Sequence, residues 1–154
     1  DDIWQQVIDL SRDGGTYEVE MYLQHSKATD FAVGMQINNL DDAKWVYQGL
    51  DCLNDGNPAR ITSYNTAPNY GRLGAIRYNC TTIIKMTIHK AEYSFGGSVR
   101  YYVESMCMNG TFFERTISQY WSDDVTTNLT SFRILNVSNT EVFQNGSYVK
   151  IYKK

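Results

Sequence analysis

Thr82-Ile83-Ile84-Lys85-Met86-Thr87-Ile88-His89-Lys90 decides the fold class. Ile84, Met86 and Ile88 fall on one side of an extended chain, and Lys85, Thr87 and His89 on the other. Side chains alternate between faces in a strand, so this segment predicts a strand with one face buried. Phe95-Gly96-Gly97 then turns the chain. Ser98 to Met106 returns, with Val99, Tyr101 and Val103 set against Arg100, Tyr102 and Glu104. The pair predicts an antiparallel hairpin with a loop longer than the tightest class.

The same period of two extends in both directions. Tyr17, Val19, Met21 and Leu23 alternate with Glu18, Glu20 and Tyr22, and Phe31, Val33, Met35 and Ile37 with Ala32, Gly34 and Gln36. Further strands are expected around Lys44 to Cys52, Ile61 to Tyr64, Leu73 to Cys80, Ser131 to Val137 and Ser147 to Tyr152. Asn54 to Pro58 is a turn by composition. Two segments break the pattern. Asp2 to Leu10 carries apolar residues at helical spacing, with Asp1 and Asp2 where a helix dipole favours negative charge. Gly14-Gly15 stops it, and Trp4 anchors it. Thr111 to Trp121 places Phe112, Phe113, Thr116, Ile117, Tyr120 and Trp121 at helical spacing, and Thr111 with Glu114 fits a capping box. Asp123-Asp124 past its end disfavours a helix, and a strand is the alternative. The chain is thus expected to be mainly β: one domain over 1–154, an antiparallel barrel of about eight strands, a short N-terminal helix and a helix near 111–121. Such a barrel holds either a packed core or one small ligand.

Asn79, Asn109, Asn128, Asn136 and Asn145 each open an Asn-X-Ser/Thr triplet, where twelve Asn predict roughly two by chance. They predict a secreted glycoprotein with each Asn on an exposed loop or strand end. The absence of a leader then predicts a mature form starting at or near Asp1. Cys52, Cys80 and Cys107 make an odd count, so an oxidising compartment should pair two of them. Cys80 with Cys107 is the preferred pair, since both sit in strand-like segments that could be neighbours. It would contribute about 3 kcal/mol. Cys52 would then be free or would join two chains, and its pairing with Cys80 or Cys107 stays open.

A net charge of −3, with no basic run beyond Lys153-Lys154, gives no reason to expect nucleic acid. No apolar stretch is long enough to span a bilayer. No nucleophile elbow, zinc-protease motif, P-loop or dinucleotide fingerprint is present, and no cofactor is expected. His25 lies in a polar turn and His89 on a strand's polar face, so neither reads as catalytic. The cysteine and histidine spacing fits no zinc site. The chain reads as a binder rather than an enzyme.

The strand carboxylates Glu18, Glu20 and Glu104 lie beside Tyr22 and Tyr102. Facing a cavity, they would need a cationic partner, and Trp45, Tyr22 or Tyr102 could add cation–π attraction. A small amine would satisfy this set. Alternation argues the opposite, because the faces across from these carboxylates are the more apolar ones. Arg77, Lys85 and Arg100, if turned inward, would instead suit a lipid carboxylate. Trp4 reads as a plug at one end of the barrel.

At Tyr78-Asn79-Cys80-Thr81-Thr82 the chain resembles the salivary lipocalins of ticks, the group that includes histamine-binding proteins. Ile3-Trp4, Tyr101 to Cys107 and the aromatic run from Phe112 to Trp121 extend the resemblance over roughly half the chain. The resemblance implies a lipocalin barrel, a Cys80–Cys107 disulfide and a secreted, non-enzymatic salivary product. Its implied ligand is a host mediator: histamine, serotonin, a leukotriene or a fatty acid. Glu18, Glu20, Tyr22, Trp45, Tyr102 and Glu104 are the residues expected to hold an amine. The competing expectation is a solidly packed module that binds a host protein, such as a complement component, through exposed tyrosines. A core filled by Met21, Met35, Met86 and aromatics would favour that second reading.

Overall fold

The computed structural model describes residues 5–9, 16–24, 31–38, 44–52, 60–64, 69–76, 80–92, 99–109, 112–122, 131–137, 143–144 and 146–154. These contain β1 (Gln5–Asp9), β2 (Tyr17–Gln24), β3 (Phe31–Ile37), β4 (Trp45–Cys52), β5 (Arg60–Tyr64) and β6 (Gly71–Ile76). They continue with β7 (Thr81–Glu92), β8 (Val99–Asn109), β9 (Phe112–Ser122), β10 (Ser131–Asn136) and β11 (Tyr148–Lys153). One sheet runs β1-β10-β3-β6 and the other β11-β2-β7-β8-β9-β4-β5. Every pairing is antiparallel. The mainly β, antiparallel expectation holds. No closed barrel is found among the described residues. A four-stranded and a seven-stranded sheet stand where one ring of about eight strands was expected.

Both expected helices are corrected. Gln5–Asp9 pairs with Ser131–Leu135 of β10. A short helix gains little without tertiary packing, and Val7 and Ile8 are β-branched residues that fit a strand. Asp1, Asp2, Trp4, Leu10, Gly14 and Gly15 lie outside the described residues. The 111–121 segment is β9, paired with β8 on one side and β4 on the other. Its inward row reads Phe112, Glu114, Thr116, Ser118, Tyr120, all buried. Because the middle of that row is polar, hydropathy does not alternate and the period of two is hidden. The Thr-x-x-Glu spacing is not a cap here: Glu114 is a buried ion-pair partner.

The four-stranded sheet lies against the inner face of the large one. The core between them contains Met21, Met35 and Met86, with Trp45, Tyr101, Tyr120 and Phe132 among its largest side chains. Trp45 packs on Tyr120 with ring centroids 5.2 Å apart, and Tyr120 on Tyr101 at 6.3 Å. Burial pushes the Tyr101 hydroxyl up to about 12.

The edge strand β6 fixes how closely the sheets approach. Among the described residues it pairs only with β3, so one row of its backbone carbonyls faces the large sheet. Buried carbonyls need donors. Ser118 Oγ donates to the Arg72 carbonyl at 2.7 Å, Ser105 Oγ to Leu73 at 2.8 Å and Asn109 Nδ2 to Ala75 at 2.8 Å. The Cys107 thiol also donates to Ala75, at 3.3 Å. Side chains of β8 and β9 thus replace the missing neighbour strand. Gly74 permits this closeness. A Cβ there would lie 2.5 Å from the Cys107 Cβ, and its φ of +149° disfavours L side chains. The β3–β6 register shifts between Val33 and Gly34, which is where Gly74 accommodates the irregularity.

Candidate functional site

Across the outer face of the large sheet the register builds rows of neighbours. One row runs Tyr152, Glu18, Thr87, Glu104, Ile117, Gln48. It holds two carboxylates and no cation. The next row runs Lys150, Glu20, Lys85, Met106, Arg115, Leu50, with three cations and one carboxylate. Flanking them are an apolar row, Tyr148, Tyr22, Ile83, Met108 and Phe113, and a neutral one, His89, Tyr102, Gln119 and Val46.

Every exposed large hydrophobic among the described residues lies on this face. Val46, Leu50, Ile83, Met108, Ile117, Tyr148 and Tyr152 are 38% to 48% exposed. Two shallow grooves cross it. One, of about 340 Å³, is lined by Gln48, Gly49, Leu50, Arg115 and Ile117. The other, of about 430 Å³, is lined by Glu18, Glu20, Lys85, Thr87 and Tyr152, over the backbone of Val19 and Met86. Lys85 sits 3.7 Å from Glu20, and Lys154 sits 2.5 Å from Glu18. Glu104 and Arg115 have no ion-pair partner among the described residues.

The expected amine site is therefore divided. Glu18, Glu20, Tyr22, Tyr102 and Glu104 share the outer face, as alternation argues, and do not converge on an interior cavity. Glu18 and Glu20 meet in one groove, already matched by lysines. Tyr22 stacks on Tyr148 at 5.3 Å, and Gln119 Nε2 donates to the Tyr102 hydroxyl at 3.4 Å. Trp45 is the exception. It is fully buried on the inner face, against Gly71 and Tyr120, so it cannot join the other five. Of the cations considered for a lipid carboxylate, Lys85 faces outward, and the side chains of Arg77 and Arg100 lie outside the described residues.

Between the sheets lies a polar group that periodicity did not reveal. Arg72 of β6 grips Glu114 of β9 with two bonds, Nε to Oε1 at 2.5 Å and Nη2 to Oε2 at 3.1 Å. Thr116 Oγ1 donates to Glu114 Oε1 at 3.1 Å. Burial alone would lower the Arg72 pKa, but the Glu114 hydrogen bond and charge outweigh it, with Tyr47 and Asp51 assisting, and raise it. The fork joins the two sheets. Its chemistry is that of a matched ion pair, and removing one partner would strand a buried charge. The one signal in the sequence was Glu114 amid apolar residues.

The expected disulfide is not formed; all three cysteines are free thiols. The β7 partner of Cys107 is Ile84, four residues from Cys80. That offset is about 13 Å along a strand, beyond the roughly 7 Å that a disulfide can bridge. Burial pushes the Cys107 thiol up to about 12, and the Glu114 charge adds to this. Such a thiol is a poor nucleophile. Two of the five Asn-X-Ser/Thr sites also depart from expectation. Asn109 and Asn136 stand at strand ends but are buried, and the Asn109 amide nitrogen is committed to Ala75. A glycan on either would displace this packing. Asn79, Asn128 and Asn145 lie outside the described residues.

Among the described residues no three His, Cys, Asp or Glu side chains gather as a metal site. No protein-family model matches the chain, and no curated protein is significantly similar to it.

Proposed function

We propose that this chain is a non-enzymatic extracellular module that binds protein through the outer face of its seven-stranded sheet. The observation that carries the reading is the segregation of its large hydrophobics. Methionines and aromatics fill the space between the sheets, while among the described residues the exposed large hydrophobics all lie on one outer face. Within that face the row Tyr148, Tyr22, Ile83, Met108 and Phe113 is contiguous apolar surface, which marks interaction sites. The exposed Tyr148 and Tyr152 fit an interface, where tyrosine is enriched. The triplets at Asn79, Asn128 and Asn145 support the extracellular setting; Asn109 and Asn136 add nothing to it.

Kinship with the tick lipocalins is not required by this reading. It would need a closed barrel and a Cys80–Cys107 bond, neither of which is found among the described residues. A small amine remains a second reading because Glu18 and Glu20 share a groove of about 430 Å³. The test sets immobilised protein against an Ile117→Lys, Leu50→Lys variant in extracellular fluid. Protein capture that disappears in the variant supports the proposal, and equal capture by both contradicts it. Native mass spectrometry with histamine, serotonin, a leukotriene and a fatty acid addresses the second reading. A one-to-one adduct lost in Glu20→Gln would establish it.

A further inference from the structure

Resting on the reading of the outer face as a contact surface, we infer that its occupant is a second copy of this chain. The copies pack sheet on sheet about a two-fold axis that runs across the strands, between the acidic and the basic row. A two-fold contact must be self-complementary, each patch meeting the other's counterpart. The register makes it so except on β2, where Glu18 lies over the partner's Glu20, itself flanked by Lys150 and Lys85. The axis lays the row with two carboxylates and no cation over the partner's row with three cations and one carboxylate. At the centre, Glu104 of β8 faces the partner's Met106, whose strand neighbours are Lys85 and Arg115. Glu104 and Arg115, without ion partners among the described residues, find them in the other copy. Ile117 lies against the aliphatic stem of the partner's Arg115. The flanking row of Ile83 and Met108 covers the partner's His89 and Tyr102.

The size is adequate. Six strands at about 4.8 Å and eight residues at about 3.3 Å give roughly 750 Å² per copy, near the ~800 Å² per partner of a stable interface. The edge at β11, unpaired among the described residues, is a weaker candidate for self-association. Lys150, Lys153 and Lys154 line it, and like charges on an edge oppose pairing with itself. The inferred contact also needs no disulfide. The axis sets Cys52 of β4 against the partner's Val46, about 20 Å from the partner's Cys52.

Sedimentation velocity over a concentration series tests this. The wild type should form a dimer that survives reduction. Glu104→Lys should weaken it at least tenfold, as should Lys85→Glu with Arg115→Glu, each keeping the wild-type circular dichroism. Mixing the two variants should restore a one-to-one heterodimer. A wild type that stays monomeric, a Glu104→Lys dimer of unchanged strength, or a mixture that fails to pair would each overturn the inference. The two readings fail separately. A monomer that still captures protein, and loses it in Ile117→Lys, Leu50→Lys, sinks only the self-contact. A monomer whose capture is indifferent to that change sinks both.

Discussion

The two faces of the seven-stranded sheet use polar residues in opposite ways. On the inner face, Glu114, Thr116, Ser118 and Ser105 are buried, and their hydrogen bonds run to one another or to β6. On the outer face, Glu104 and Arg115 have no ion-pair partner among the described residues and stand beside exposed Ile117 and Leu50. Polarity inside holds two sheets in register, because an unmatched buried group costs more than a matched one gains. Polarity outside does no such work within one chain, so it is available to a partner. Hydrophobicity alone would have assigned these roles wrongly along β9, where the buried residue is Glu114 and the exposed one Ile117.

The sharpest way to break the comparison is inside. Glu114→Ala leaves Arg72 charged and partly buried, and should cost about 3–5 kcal/mol, read by urea denaturation. The double change Arg72→Met, Glu114→Leu should recover most of it; full additivity of the two single losses would show that the fork is not a coupled unit. Gly74→Ala comes next. Its Cβ meets Cys107 at 2.5 Å at a positive φ, so about 1–3 kcal/mol should be lost by the same measurement.

Alkaline titration probes the same interior more gently. Cys107 and Tyr101 have folded-state pKa values raised from 9.0 and 10.0 to about 12. Their neutral forms are favoured by folding, so their contribution is complete below pH 9 and is lost as pH rises towards 12. Each group should steepen the loss by up to about 1.4 kcal/mol per pH unit in that window. Cys107→Ser should flatten the slope of denaturation free energy against pH, whatever it does to the absolute value. An unchanged slope would show the thiol already ionised or exposed. The smallest expected effect lies outside. Ile117→Lys should move stability by less than about 0.5 kcal/mol while abolishing self-association.

The sequence made the strands of this molecule legible where apolar residues kept a period of two. The inner faces of β2, β7 and β8 agree with the alternation that assigned Val19, Ile84 and Val103 to them. It failed where tertiary demands overrode the pattern. β9 buries Glu114, Thr116 and Ser118 to serve β6, a strand distant in sequence, so no local period announces it. β1 becomes a strand because β10 offers it an edge. The outer carboxylates Glu18, Glu20 and Glu104 were visible as a group, but which side of the sheet they occupy follows from where the second sheet docks. Trp45 was misplaced for the same reason: it begins a strand whose apolar face is covered by Gly71 of β6. The Cys80–Cys107 pairing needed a register that strand composition does not encode.

The five methionines of the chain divide between the core under the inner face (Met21, Met35, Met86) and the outer face (Met106, Met108). Peroxide oxidation followed by peptide mass mapping, at dilute and at concentrated protein, therefore reads both faces at once. The account predicts that Met21, Met35 and Met86 resist at either concentration, while Met106 and Met108 oxidise when dilute and are protected when concentrated. Oxidation of Met106 and Met108 that ignores concentration, or ready oxidation of Met21, Met35 and Met86, would contradict it.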